Sequence, residues 1–328
     1  MSLAECTALL FQAVNENSVS LLELAKRTYS EHQLLASLVK CNEEGETPLV
    51  IAMRGKNDCV IDELVKVMKN CDRTIEENQL KLSMAIQQLS HQIPIVELIG
   101  YLASALQDTC LKNLNSSWLK FIAQAFKDST SSIEKDKIIT ALELIGAILM
   151  HFNSDRAKPM LFGLECWKVA MTLRCCPEDG QPLLPKIPDI SVFSSEASSL
   201  IYGSAIEVMS LEELDILQAN FENGVQPQGY ERIKIQALLV LRRISTQANL
   251  DYPHWLYFKS LLSLTEFYLP NRGIGNYKLA INVNLLIMEQ LNGFDLKLLP
   301  RKTFDVFLRA IFHLSHIFFS ITERRTCS

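Results

Sequence analysis

The residues best equipped for chemistry are histidines, cysteines and carboxylates, and their spacing decides what they could do. His313 and His316 stand about one helical turn apart in an apolar stretch, a spacing at which two imidazoles can share a metal. No acidic or cysteine ligand lies close by in sequence, so the pair reads as packed or half-exposed histidines. Cys175 and Cys176 are adjacent at an expected helix end. Neighbouring thiols rarely hold one ion, and free thiols are a simpler reading than a redox pair. Gly273 and Gly275 precede a helix, yet Pro270 and Asn271 make a turn there and the context of a phosphate-binding loop is missing. The sequence holds no His-Glu-x-x-His, no Gly-x-Ser-x-Gly and no Walker loop. The expectation is a protein that is not an enzyme, with no catalytic, cofactor-binding or metal-binding residue and no cofactor.

Composition narrows the partners. Against 37 Asp and Glu there are 32 Lys and Arg, a net charge of −5. That balance implies no basic face, so neither nucleic acid nor an acidic membrane is an expected partner. The 9 cysteines are odd in number and form no Cys-x-x-Cys pair. Free thiols in a reducing compartment follow, and with no cationic leader near Met1 and no long apolar run the expected location is the cytoplasm or the nucleus.

The elements that must position any binding residue read as helices. With 12 Gly and 11 Pro in 328 residues, turns are too sparse for a sandwich or barrel. Apolar residues recur at three and four, and period-two alternation is scarce. Helices are expected over 4–15, 20–26, 31–40, 48–53, 60–69, 79–89, 95–106 and 118–126. The second half gives 134–152, 160–173, 197–208, 211–219, 231–245, 254–268, 276–290 and 301–319. Between them, 175–195 carries Pro177, Pro182, Pro185 and Pro188 and reads as a loop. Helices with no strand between them predict an all-α fold built as a stack, which calls for a repeat search.

One repeat stands out. Glu44-Gly45-Glu46-Thr47-Pro48-Leu49-Val50-Ile51-Ala52 followed by Val60-Ile61-Asp62-Glu63-Leu64-Val65 fits an ankyrin unit. Thr47 can cap a helix that Pro48 opens, where a missing N–H costs nothing. Leu49 and Ala52 then face the core, and Ile61, Leu64 and Val65 face the next repeat. Leu82-Ser83-Met84-Ala85-Ile86 with Ile95-Val96-Glu97-Leu98-Ile99 is a weaker copy, Ala85 lying one 33-residue ankyrin period after Ala52. Leu10-Phe11-Gln12-Ala13 with Leu21-Leu22-Glu23-Leu24 resembles a capping unit, and 118–126 a decayed one. Glu43, Glu44 and Glu46 lie where ankyrin turns project toward ligands: a solvated turn, or an acidic lip for a basic peptide. Later, 141–147 and 163–171 have the small residues and spacing of a tetratricopeptide pair, with 276–288 as another second helix. Trp167, spaced from Ala170 and Met171 like a repeat core residue, is expected to pack. Arg242-Arg243 and Arg324-Arg325 are expected as solvated charges at helix ends.

Ankyrin units running into Glu143-Leu144-Ile145-Gly146-Ala147 and Leu164-Glu165-Cys166-Trp167-Lys168-Val169-Ala170-Met171-Thr172-Leu173-Arg174 resemble the Fem (feminization) family of ankyrin and tetratricopeptide proteins. Leu211-Glu212-Glu213-Leu214, Gln236-Ala237-Leu238-Leu239-Val240 before Arg242 and Arg243, Tyr252-Pro253-His254 and Ala280-Ile281-Asn282 agree in the same order. The likeness spans 3–319 and is most specific over 134–290. It implies degenerate ankyrin-like repeats over 1–132, a tetratricopeptide-like helical domain over 133–322 and a tail over 323–328, together a helical-repeat solenoid. It further implies a substrate receptor of a cullin-RING ubiquitin ligase, holding a short C-terminal degron of a target protein in a groove. The partners implied are that peptide tail, the elongin adapter and a cullin. The family's longer ankyrin array and its adapter-binding box have no counterpart in these residues, so no peptide-binding residue is carried over. The alternative is a scaffold or decoy that has lost the ligase.

Overall fold

The computed structural model of the chain describes residues 2–70, 76–104, 116–128, 133–152, 157–175, 184–189, 195–223, 228–248, 254–269 and 276–326. Among them the regular structure is α-helix throughout, with no strand. The first eight helices are α1 (Leu3–Asn15), α2 (Val19–Thr28), α3 (Glu31–Leu38), α4 (Pro48–Arg54), α5 (Asp58–Asn70), α6 (Glu76–Gln92), α7 (Ile95–Ser104) and α8 (Ser116–Lys127). The rest are α9 (Lys135–Phe152), α10 (Ala157–Cys175), α11 (Glu196–Tyr202), α12 (Leu211–Asn223), α13 (Gln228–Gln247), α14 (Trp255–Tyr268), α15 (Tyr277–Leu291) and α16 (Arg301–Thr326). No helix among the described residues is long and apolar enough to cross a membrane.

Every expected helix is present, and three differ notably in length, the one expected over 79–89 running from Glu76 to Gln92. The helix expected over 197–208 stops at Tyr202, because Gly203 takes φ +56°, a left-handed conformation that glycine adopts without the Cβ penalty. The helix expected to end at 319 runs on to Thr326.

The chain divides into two compact units, Met1–Ala141 and Leu142–Ser328, with the division inside α9. In the first unit, side chains set where helices begin. Ser2 and Ser30 form capping boxes with Glu5 and Gln33, and Ser18 accepts from the Leu21 N–H. Thr47 Oγ1 accepts from the Val50 N–H at 3.3 Å, with Pro48 opening α4 as its sequence predicts. The small residues Ala13, Ala52 and Ala85 are all buried, as are Ile61, Leu64 and Val65. Helices α2, α5 and α7 touch in succession, while α1 packs on α4 and α6 on α8. The short α3 lies against α1, α5 and α6, an extra helix between the first two pairs.

In the second unit α13 is the centre. Twelve of its residues are buried, and it packs between α12 and α14. α15 lies against α11, α14 and α16, and α10 against α12. α9 and α10 meet through glycines. A Cβ on Gly146 would stand 2.6 Å from the Trp167 ring and 2.8 Å from the Gly163 carbonyl oxygen. Trp167 is buried and its indole N–H donates to the Glu143 carbonyl at 2.9 Å, so it packs as expected. Gly146→Ala must push the two helices apart, and we expect it to lower stability by about 1–3 kcal/mol in urea unfolding despite alanine's better helix propensity. Unchanged or raised stability would mean that the glycine contact is not close.

Candidate functional site

The first unit carries an exposed surface built on one turn and one helix. Asn42 organises the turn: its Oδ1 accepts from the Glu44 and Glu46 N–H groups at 3.0 and 2.9 Å. Gly45, at φ +79°, lets the chain reverse. Glu46 is spent internally on Arg54, whose Nη2 lies 2.7 Å from its carboxylate. Glu43 and Glu44 stay exposed, so the acidic lip has two carboxylates rather than three. α6 is tied to this turn by Gln88, which donates to Cys41 Sγ at 2.7 Å, and by Gln92, which donates to the Gly45 carbonyl at 2.8 Å. One and two turns back along α6, Met84 and Leu80 are 57% and 61% exposed. The steps from Leu80 to Met84 to Gln88 to Gln92 follow i, i+4 spacing, so an apolar strip leads along one side of the helix to two free carboxylates.

The second unit holds a different constellation, buried and closed. Arg174 of α10 grips Glu143 of α9 with two bonds of 3.2 and 3.1 Å. Arg243 of α13 bonds Glu143 at 2.8 Å and both oxygens of Glu207 at 3.1 and 3.0 Å. Lys186 reaches Glu207 at 2.8 Å and the Val208 carbonyl at 2.6 Å. Gln236 clamps the same segment, accepting from the Val208 N–H and donating to the Ile206 carbonyl. Burial alone would raise the Glu143 carboxyl, but Arg243, Arg174 and Lys186 outweigh it and hold it below the usual carboxylate range. Burial pushes the Lys186 ammonium down despite its acidic neighbours. Arg243 goes up, the two carboxylates overcoming its desolvation. The cluster fastens two irregular segments to three helices and presents no group outward, so its chemistry is that of a brace.

This corrects one expectation. Arg242 and Arg243 are not solvated helix-end charges: Arg243 is 3% exposed, and Arg242 is largely buried and pairs with Asp189 at 3.2 Å. Both lie within α13, on sides covered by the 184–189 and 205–208 segments. The nominal loop 175–195 is held down where it is described, through Lys186, Asp189 and an Arg174 bond to the Leu184 carbonyl. A second buried cation went unnoticed in the sequence. Lys234 of α13 is fully buried and its ammonium lies 3.2 Å from the His151 carbonyl and 3.5 Å from that of Met150, at the end of α9.

Elsewhere the candidates disperse. His313 is part-buried and its imidazole shifts down through burial, while His316 is exposed. No group of three or more His, Cys, Asp or Glu suited to a metal occurs among the described residues. Cys175 is exposed at the end of α10. Cys176, Gly273, Gly275, Pro270, Asn271, Pro177, Pro182, Tyr252 and Pro253 lie outside the described residues, as do the side chains of Arg324 and Arg325.

Compared with models of protein families and with curated proteins, the chain gives no match. The class that fold and surfaces define is therefore an all-helical protein of two units, one braced by buried ion pairs and the other bearing an acidic turn beside an apolar strip.

Proposed function

We propose that the chain is a non-catalytic helical-repeat protein, ankyrin-like then tetratricopeptide-like, that holds the tail of a partner protein as a Fem-like substrate receptor of a cullin-RING ubiquitin ligase. The observation that carries the binding role is the α6 strip, where Leu80 and Met84 lead to the turn of Glu43 and Glu44. An extended segment with apolar residues followed by a basic end matches that surface in both shape and sign. The stacked α2, α5 and α7, with Thr47 and Pro48 at the head of α4, support the ankyrin reading. The blocks that carry the Fem resemblance contribute Glu143, Trp167, Arg174 and Arg243 to internal packing. That use supports a shared scaffold. It also favours the second reading, a scaffold without ligase coupling, as a serious competitor.

Two measurements test this. Tagged protein recovered from lysate with proteasome activity blocked should bring elongin and a cullin in stoichiometric amounts; specific partners without them would leave the scaffold. For the surface itself, Glu43→Gln with Glu44→Gln should weaken a peptide ending in arginine roughly 3–10-fold, two exposed charge pairs contributing about 0.3–0.7 kcal/mol each. An unaltered affinity, or one insensitive to salt, moves the binding site elsewhere.

A further inference from the structure

α16 is seated on α14 and α15 through Thr303, Val306, Ala310 and Ile317, all buried. Its opposite face should then be polar. Instead Leu308, Ile311, Phe312, Phe318 and Phe319 are 48%, 39%, 68%, 57% and 62% exposed. Two apolar pairs on the face stand seven apart, Phe312 with Phe319 and Ile311 with Phe318, while Ser315 and Thr322 continue the register of Leu308 with hydroxyl residues. Apolar pairs seven residues apart on the outside of a helix suit a short seam that receives another helix.

The pattern says more about the occupant. Around exposed Ser315, large apolar residues stand symmetrically, Phe312 and Phe318 three positions away and Ile311 and Phe319 four away. Reversing the helix about Ser315 therefore lays aromatic and branched side chains onto aromatic and branched side chains, with a small residue at the crossing. An isologous contact needs that self-complementarity, whereas an unrelated partner does not. Size agrees. Taking about 200 Å² for a whole aromatic side chain, the five residues expose roughly 500 Å² of apolar surface, in the upper part of the roughly 300–600 Å² of a typical monomer's largest patch, which is often functional. Two copies would bury roughly 1,000 Å², at the lower bound for a specific interface. Asp305, Arg309 and His316 lie exposed along one edge of the strip and supply a polar rim of both signs.

We propose that α16 is a homodimer interface, two copies of the chain pairing antiparallel through this face about a two-fold near Ser315. The pairing is weak, as suits an interface smaller than the standard size, and independent of what the first unit binds. Sedimentation equilibrium of the full chain between 1 and 100 μM tests it, and about half of the chain should be dimeric within that range. Phe312→Asp with Phe319→Asp should weaken self-association roughly 30-fold or more, leaving the circular dichroism spectrum and unfolding midpoint as in the parent. Leu24→Asp, an exposed apolar position of the first unit, should leave the dimer intact. A parent chain that stays monomeric at 100 μM overturns the proposal, as does a double variant that dimerises as tightly as the parent. Monomeric parent protein that binds phosphatidylcholine vesicles through the two phenylalanines would assign the face to lipid instead.

Discussion

Glu143→Gln is expected to destabilise the protein by about 3–5 kcal/mol, the cost of breaking a buried ion pair from one side. Glu143 is 3% exposed and receives bonds from both Arg174 and Arg243. Among the described residues the cluster sets three cations, Arg174, Lys186 and Arg243, against two carboxylates, Glu143 and Glu207. Neutralising Glu143 leaves three cations facing one anion in a place water reaches poorly. Neutralising Arg243 instead, as Arg243→Met, leaves two pairs, Arg174 with Glu143 and Lys186 with Glu207. Its cost should therefore be smaller, although it too removes short bonds. Urea unfolding of both variants measures the order. If Arg243→Met costs as much as Glu143→Gln or more, charge imbalance is not what governs the cluster.

The second large effect is a loss of stability in mild acid. His254 is buried as the N-cap of α14, its Nδ1 accepting the Leu256 N–H at 3.4 Å; burial and then Lys302 bring its pKa down to about 3. His151 is buried with neither ring nitrogen hydrogen-bonded, and burial with the charge of Lys234 pushes it down as well. In the unfolded chain both titrate near 6.5. Below that pH the unfolded state takes up protons that the folded state refuses, so stability falls as pH falls. The slope approaches roughly 1.4 kcal/mol per pH unit for each histidine once pH is well below 6.5. Glu143 acts in the same direction at lower pH, since a depressed carboxyl stabilises above about 4.5 and stops doing so as it protonates. The unfolding free energy followed from pH 7.5 to 5 should drop, and His254→Gln should remove about one proton from the slope. His151→Leu should remove another while keeping or raising stability at pH 7.5, because it also deletes two unsatisfied nitrogens. A parent profile flat over that range contradicts both assignments.

Much of the helix plan is legible because it is local. Periodicity marks each buried stripe, and Ser2, Ser18, Ser30 and Thr47 mark starts within three residues of the groups they cap. Trp167 is legible for the same reason, since its spacing from Ala170 and Met171 is one helix face. The ionic brace was not. Side-chain type alone places Arg242 and Arg243 in water, and the partners of Arg243 lie 36 and 100 residues away. Only chain folding brings them together. Glu207 was hidden differently, inside a helix expected to continue past Gly203-Ser204, where the glycine was the available signal. The α6 strip escaped because Leu80 and Met84 are chemically indistinguishable from core residues, and their exposure depends on what other helices leave uncovered.

Lys234 has a consequence for the order in which structure can form. Its ammonium closes the final turn of α9 from 84 residues along the chain, bonding a carbonyl that the helix itself cannot satisfy. Until α13 has docked, those carbonyls must be hydrated and the last turn of α9 can fray. The end of one helix is thus completed by the arrival of another, and the intervening chain must close a long loop first. Contacts of such separation slow the search for the native state. In the second unit, secondary structure at that point is a product of tertiary assembly, and a chain cut before Lys234 would emerge with α9 unfinished.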